Sequence, residues 1–108
     1  MGISKTDLFT KEENELATIA KAIGHPARIS ILSYLLKTKS CINGDLVEEL
    51  GLAQATISQH LKELKAVGLI QGTVEGPSVC YCINPERWKA LGLRLSSFFD
   101  KYRPDNCC

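Results

Sequence analysis

What this chain lacks narrows its role before any motif is read. None of its apolar runs approaches the roughly 18 residues needed to span a membrane, and the opening Met1-Gly2-Ile3-Ser4-Lys5-Thr6-Asp7 has no apolar stretch of the signal-peptide kind. The expected compartment is therefore the cytoplasm, with no membrane partner. A basic excess is also missing: 13 Lys+Arg stand against 12 Asp+Glu, a net charge of +1, so a nucleic-acid partner has to be argued from pattern and not from charge. Internal repeats and low-complexity tracts are absent. The 108 residues allow one domain and fall short of the usual size of a two-domain enzyme. What is in surplus is cysteine. Five is an odd number, and in a reducing compartment five cysteines make a poor disulfide framework.

The apolar periodicity predicts five helices and one hairpin. Thr10-Lys11-Glu12-Glu13 is a capping box opening a helix to residue 23, with Leu16, Ile19, Ala20 and Ile23 at helical spacing. Gly24-His25-Pro26 ends it and starts a second helix running to about Lys37. Its Ile29, Ile31, Leu32, Leu35 and Leu36 predict the most buried helix of the fold. A brief third helix spans 45–50 and stops at Gly51, and a fourth runs from Gln54 to about Val67 on an inward stripe of Ile57, Leu61 and Leu64. The stretches 69–74 and 79–83 read as strands joined by the turn Glu75-Gly76-Pro77-Ser78. Asn84-Pro85-Glu86 caps a last helix that Pro104 closes. That helix carries Trp88, Leu91, Leu95, Phe98, Phe99 and Tyr102, more apolar area than one small core needs, which points to a dimer surface. The chain thus divides into an arm (1–9), a folded domain (10–103) and a cysteine-containing tail (104–108).

Two helices joined by Gly51-Leu52-Ala53, the second followed by a hairpin, have the organisation of a winged helix-turn-helix: α+β, mainly α. A helix that enters the major groove must keep a buried stripe yet present short polar side chains from its N-terminal half. Gln54, Thr56, Ser58, Gln59 and His60 supply those groups, and Lys62 and Lys65 could pair with phosphates. An ordinary amphipathic helix with a solvated polar face is the competing reading, and the hairpin at the right distance favours DNA. His60 reads as a DNA-proximal or capping side chain rather than a metal ligand, because no second histidine lies within a turn or two.

The segments Ala22-Ile23-Gly24-His25-Pro26-Ala27-Arg28-Ile29-Ser30-Ile31-Leu32 and Leu50-Gly51-Leu52-Ala53-Gln54-Ala55-Thr56-Ile57-Ser58-Gln59-His60-Leu61-Lys62-Glu63-Leu64 resemble the ArsR/SmtB family of small bacterial metal-sensing repressors. With Ala66-Val67-Gly68-Leu69-Ile70, the second is the more specific. The resemblance covers roughly residues 12–100. It implies a homodimer paired through the first and last helices, a recognition helix at Gln54 to His60 in each major groove of a palindromic operator, and a wing over 73–79. The family's wing is often arginine-rich, whereas no Lys or Arg lies between Ile70 and Asn84 here and Glu75 is acidic.

The resemblance also frames the cysteines. The family's zinc-type site needs Asp, His and Glu on the last helix, and residues 85–102 contain no His, so that site is rejected. The arsenic-type site carries Cys-x-Cys at the start of the third helix. Cys41 matches its first position, Asn43 stands at its second, and Gly44 is an insertion. Cys107 and Cys108 could supply the missing thiols, since trivalent arsenic or antimony takes three thiolates. Cys41 read as a small buried residue, and Cys80 and Cys82 as half-buried partners on one face of a strand, are the plainer alternatives. The expected function is a repressor of a metalloid-resistance operon, released when As(III) or Sb(III) binds Cys41, Cys107 and Cys108. DNA binding itself requires no cofactor. A thiol redox or persulfide sensor of the same fold is the second reading. A small arsenate reductase-like enzyme using Cys107 and Cys108 is the remote one, because no base or oxyanion-binding loop accompanies those thiols.

Overall fold

The computed structural model describes residues 8–38, 46–76 and 78–104. Over these it has helices α1 (Lys11–Ile23), α2 (Pro26–Lys37), α3 (Leu46–Leu50), α4 (Gln54–Ala66) and α5 (Pro85–Phe99), with strands β1 (Ile70–Thr73) and β2 (Cys80–Ile83) between α4 and α5. The predicted capping box forms reciprocally: the Glu13 amide donates to Thr10 Oγ1 at 3.1 Å and the Thr10 amide to Glu13 Oε1 at 2.9 Å. The Asn84 side chain accepts from the Arg87 amide at 3.2 Å, ahead of Pro85 in the first turn of α5.

Helix α2 packs against α1, α3, α4 and β2. Its Ile31, Leu32 and Leu35 meet Ile19 of α1, Leu46 of α3, Ile57, Leu61 and Leu64 of α4, Tyr81 of β2 and Leu91 of α5 in one buried cluster. Full burial of each such aliphatic side chain is worth roughly 1.5–3 kcal/mol, which makes this cluster the main source of stability. Two sequence expectations are corrected here. Ile29 and Leu36 of α2 are exposed, because at 100° per residue they fall on the flanks of the stripe that Ile31, Leu32 and Leu35 define. In α1, Ala22 is buried and Ala20 exposed, since the α2 packing face follows Ile19 and Ala22.

The hairpin is antiparallel, with Ile70 opposite Ile83, Gln71 opposite Cys82, Gly72 opposite Tyr81 and Thr73 opposite Cys80. Val74 at the base of the tip is buried, and Glu75 and Gly76 are exposed. Helix α5 ends at Phe99 rather than running to the proline. The amides of Lys101 and Tyr102 bond the carbonyls three residues back, at 3.3 and 3.4 Å, so the chain has tightened out of α geometry before reaching Pro104. Leu93, Phe98, Phe99 and Tyr102 of this region are exposed, as are Leu8 and Phe9 before α1. An ion pair between Arg94 and Glu15 ties α5 to α1.

Gly72 has φ of 109°, and a Cβ there would lie 2.2 Å from the Cys80 carbonyl oxygen on the paired strand. Both the left-handed backbone and the close approach require glycine. Gly72→Ala should therefore destabilise the fold by about 2–4 kcal/mol, read as a lowered urea midpoint with an unchanged slope.

Candidate nucleic-acid interface

Helix α4 is held by Ile57, Leu61 and Leu64, all buried. Anchoring that stripe turns the opposite face outward. Gln54, Thr56, Gln59, Lys62 and Lys65 are exposed and Ser58 is half-buried. Two of these side chains are already engaged along the helix, Gln54 Nε2 donating to Ser58 Oγ at 3.2 Å and Gln59 Nε2 to Glu63 Oε1 at 3.5 Å. Such solvent-facing pairs are weak and exchange readily for a stronger partner. At the start of the helix no side chain caps the orphan amides, Ala53 being the cap residue, and no acidic side chain occupies the first turn. That leaves the positive end of the helix dipole open to an anion.

The wing stands beside this face. Glu75 at its tip pairs with Lys62 of α4, Nζ to Oε1 at 3.5 Å. The acidic residue that sets this wing apart thus takes up one of the two lysines expected to meet phosphates, leaving Lys65 as the cation of that pair with no ion-pair partner among the described residues. Both side chains of the bridge are well exposed, so its net contribution is small, ~0–1 kcal/mol.

His60 departs from the sequence expectation. It is only 9% exposed and faces inward with Ile57, Leu61 and Leu64, so it does not belong to the presented face. Its Nδ1 accepts a hydrogen bond from Arg28 Nε at 3.0 Å, and its ring lies 4.6 Å from that of His25 at a 48° tilt. The same guanidinium donates through Nη1 to the carbonyl oxygens of Ala22 at 3.1 Å and Lys21 at 3.4 Å, the last turn of α1. His25 is the cap of α2, its Nδ1 accepting from the Ala27 amide at 3.0 Å. One guanidinium and two imidazoles thus join the end of α1, the start of α2 and the middle of α4.

Arg28 and His25 have no place among the sequence-derived site residues. The signal for Arg28 was present: it stands at i against Ile31, Leu32 and Leu35 at i+3, i+4 and i+7, on the buried stripe of α2, and near the N-terminus of a helix, where a cation needs acceptors to be stable. Burial, then the charges of His25 and Arg28, hold the His60 pKa below its ordinary 6.5, against a smaller opposing effect of Glu63.

Of the five cysteines, Cys41, Cys107 and Cys108 lie outside the described residues. Among the described residues no group of three or more His, Cys, Asp and Glu side chains is arranged to hold a metal ion. The two strand cysteines differ from each other and from the expected half-buried pair. Cys80 is exposed and disulfide-bonded, whereas Cys82 is half-buried and free, with Gln71 Nε2 at 3.8 Å from its sulfur.

Residues 25–71 match the family model described as bacterial regulatory protein, arsR family. An HTH-type transcriptional regulator of Methanocaldococcus jannaschii is 37% identical over 75 residues, covering 69% of this chain and 84% of that protein. The chain belongs to the arsR family. Another arsR-like relative, the HTH-type transcriptional regulator CmtR of Mycobacterium tuberculosis, is 38% identical over 71 residues, 66% of this chain and 59% of CmtR. The chain thus spans about three-fifths of the length of that curated relative. The solution structure of CmtR, described as a cadmium metal-sensor, superposes with a TM-score of 0.53 at 34% identity, over 86% of this chain and 95% of that one. A homodimeric winged helix-turn-helix DNA-binding domain from Mycobacterium bovis gives a TM-score of 0.61 at 20% identity, over 100% and 98% of the two chains, which bears on the fold. This arsR-family chain is therefore a winged helix-turn-helix with α3 and α4 as the helix-turn-helix and β1–β2 as the wing.

The buried histidine makes stability depend on pH. Its folded pKa lies below 6.5, so between those two values the unfolded chain binds a proton that the folded chain refuses. The His60 contribution is complete above pH 6.5 and is lost as the pH falls through that window, which urea titrations at a series of pH values will register. At neutral pH, Arg28→Met should cost about 1–3 kcal/mol, because it removes a charge-assisted donor from the part-buried His60 ring and Ala22 carbonyl.

Proposed function

We propose that this protein is a homodimeric transcriptional repressor that reads operator DNA with α4 and leaves it when a thiophilic metalloid, trivalent arsenic or antimony, ligates Cys41, Cys107 and Cys108. The observation that carries the DNA half is the exposed polar face of α4 over a buried stripe, with an uncapped helix N-terminus and a wing alongside. Glutamine at Gln54 and Gln59 suits bidentate pairing with adenine, Thr56 and Ser58 suit a base edge or a phosphate, and Lys65 suits a phosphate. His60 is left out of this contact set for the burial given above. Dimerisation is supported by Leu93, Phe98, Phe99 and Tyr102, large apolar side chains that α5 and the residues after it leave exposed on a single chain. Family membership supports the regulatory role, and CmtR, a cadmium sensor, is a relative that responds to a soft metal.

The metalloid half rests on the donor set. With the Cys80 disulfide reduced, three thiols match the coordination that trivalent arsenic takes, and adjacent cysteines at 107 and 108 can chelate one ion together with Cys41. A ligand joining the tail to the segment before α3 would bias the α3–α4 unit. No catalytic chemistry is proposed for this chain. A second reading, a thiol redox or persulfide sensor, is favoured by one observation: Cys80 on the wing strand is disulfide-bonded, so sulfur oxidation reaches the element next to α4.

Selection of a duplex from random DNA, followed by anisotropy titration, tests the first half. Lys65→Ala should lower the salt slope by about two, one for each subunit of the dimer, and Gln59→Ala should cost about 1–3 kcal/mol per half-site and relax preference at one base pair of each. Leu93→Asp with Phe98→Asp should give monomers in sedimentation. Arsenite should weaken duplex binding by about 5- to 150-fold in the wild type and not in Cys41→Ser, Cys107→Ser or Cys108→Ser. Equal release in all four proteins excludes this thiol set. Release by persulfide or peroxide with a new crosslink in mass spectrometry, and none by arsenite, selects the second reading.

A further inference from the structure

The chain has two histidines, and both lie in one cluster with Arg28 under the recognition helix. Each serves through an unprotonated Nδ1: that of His60 accepts from Arg28 Nε at 3.0 Å, and that of His25 accepts from the Ala27 amide at 3.0 Å. Neither bond survives protonation, because a protonated Nδ1 points a hydrogen at a donor. The rings are 4.6 Å apart, so a charge on one opposes a charge on the other, and the guanidinium opposes both.

We propose that His25, Arg28 and His60 are positioning residues that latch α4 onto the α1–α2 corner while the His60 ring is neutral and release it when that ring takes up a proton, so that acid removes the protein's discrimination between operator and other DNA. The inference rests on the DNA-binding reading given above. The latch spans three elements. Arg28 of α2 reaches the carbonyl oxygens of Lys21 and Ala22 at the end of α1 on one side and His60 of α4 on the other. Facing His60 are the His25 ring and the Arg28 guanidinium of α2 and, on its own helix, the carboxylate of Glu63, whose influence is the smallest of those acting on the ring together with burial. Burial and the Arg28 guanidinium both favour the neutral ring at neutral pH.

The consequence for DNA has a distinctive sign. The added proton makes the protein more cationic, which strengthens sequence-independent attraction to phosphates. Loss of the latch frees α4 to shift against α2, and base readout requires the helix to be aimed to within a fraction of an ångström. Acid therefore lowers the ratio of operator to random-duplex affinity while leaving total DNA binding intact or raised. A purely structural role for the cluster would lower both together.

The test compares the wild type with His25→Asn/His60→Gln. Asparagine caps a helix without titrating, and glutamine offers a carbonyl oxygen to Arg28 without titrating. Affinity for a duplex selected at about pH 7.5 and for its scrambled counterpart is measured there and at about pH 5.5, a range that spans imidazole protonation. Hydrogen exchange of the α4 amides is followed in parallel without DNA. The ratio is expected to fall at least about five-fold in the wild type and to stay constant in the double variant, with α4 protection dropping only in the wild type. An equal response in both proteins, or unchanged protection in the wild type, overturns the latch. If no duplex is selected, the DNA-binding reading fails while the exchange measurement still decides the latch. Should the double variant not fold, His25→Asn, altered at an exposed cap, decides. Removing one opposing charge must move the wild-type exchange transition to higher pH, and an unmoved transition overturns the role of His25.

Discussion

One guanidinium sets the geometry on which the rest of this molecule depends. Arg28 stands near the start of α2, the helix that touches α1, α3, α4 and β2, and its donors reach two carbonyls at the end of α1 and the ring of His60 on α4. A cation at a helix N-terminus is out of place unless acceptors surround it. Here the acceptors are the orphan carbonyls that α1 must satisfy in any case and a ring nitrogen that burial keeps unprotonated. Each partner thus answers the other's unmet demand. Replacing any one leaves a half-buried polar group unpaired, which makes the cluster a determinant of helix orientation as well as of stability.

The same arrangement separates anchoring from presentation along α4. Ile57, His60, Leu61 and Leu64 face inward, and Gln54, Thr56, Gln59, Lys62 and Lys65 face outward. Hydrophobic burial alone would hold the helix against α2 but tolerates sliding by fractions of a turn, because apolar contacts are non-directional. The Arg28 to His60 hydrogen bond has one good geometry and so removes that freedom. The wing adds a weaker constraint from the opposite side, through Glu75 and Lys62. An acidic wing, unfavourable to phosphate by its own charge, is in this chain partly neutralised by the helix it adjoins.

Much of the fold was legible in the residues. The capping box, the glycine stops, the proline-started helices and the hairpin lie where local chemistry puts them, because each depends on contacts within a few residues. Helix ends that depend on more than one signal were less so, and α5 stops ahead of Pro104 by tightening its last turn. The candidate site was half legible. Exposed Gln54, Thr56 and Gln59 follow from the phase of the apolar stripe. His60 obeys the same phase, at i+3 from Ile57, so its position sets it inward although its side-chain type suits a presented residue. Arg28 occupies the matching place on α2. Two polar residues on two apolar stripes that pack together must find each other, a rule that periodicity contains but that only a pairing of helices makes usable.

What the sequence by itself determined is therefore what nearest neighbours along the chain decide: element order, caps, turns, the outward polar face of α4 and a family likeness carried by two segments. Only the tertiary structure decided which stripe faces which. From that came the burial of His60, the reach of Arg28 across three helices, the pairing of Lys62 with the wing and the contrast between a disulfide-bonded Cys80 and a free Cys82. The reason is physical: these contacts join residues 6 to 32 positions apart in the chain, on elements that come together only when the helices and the wing have packed.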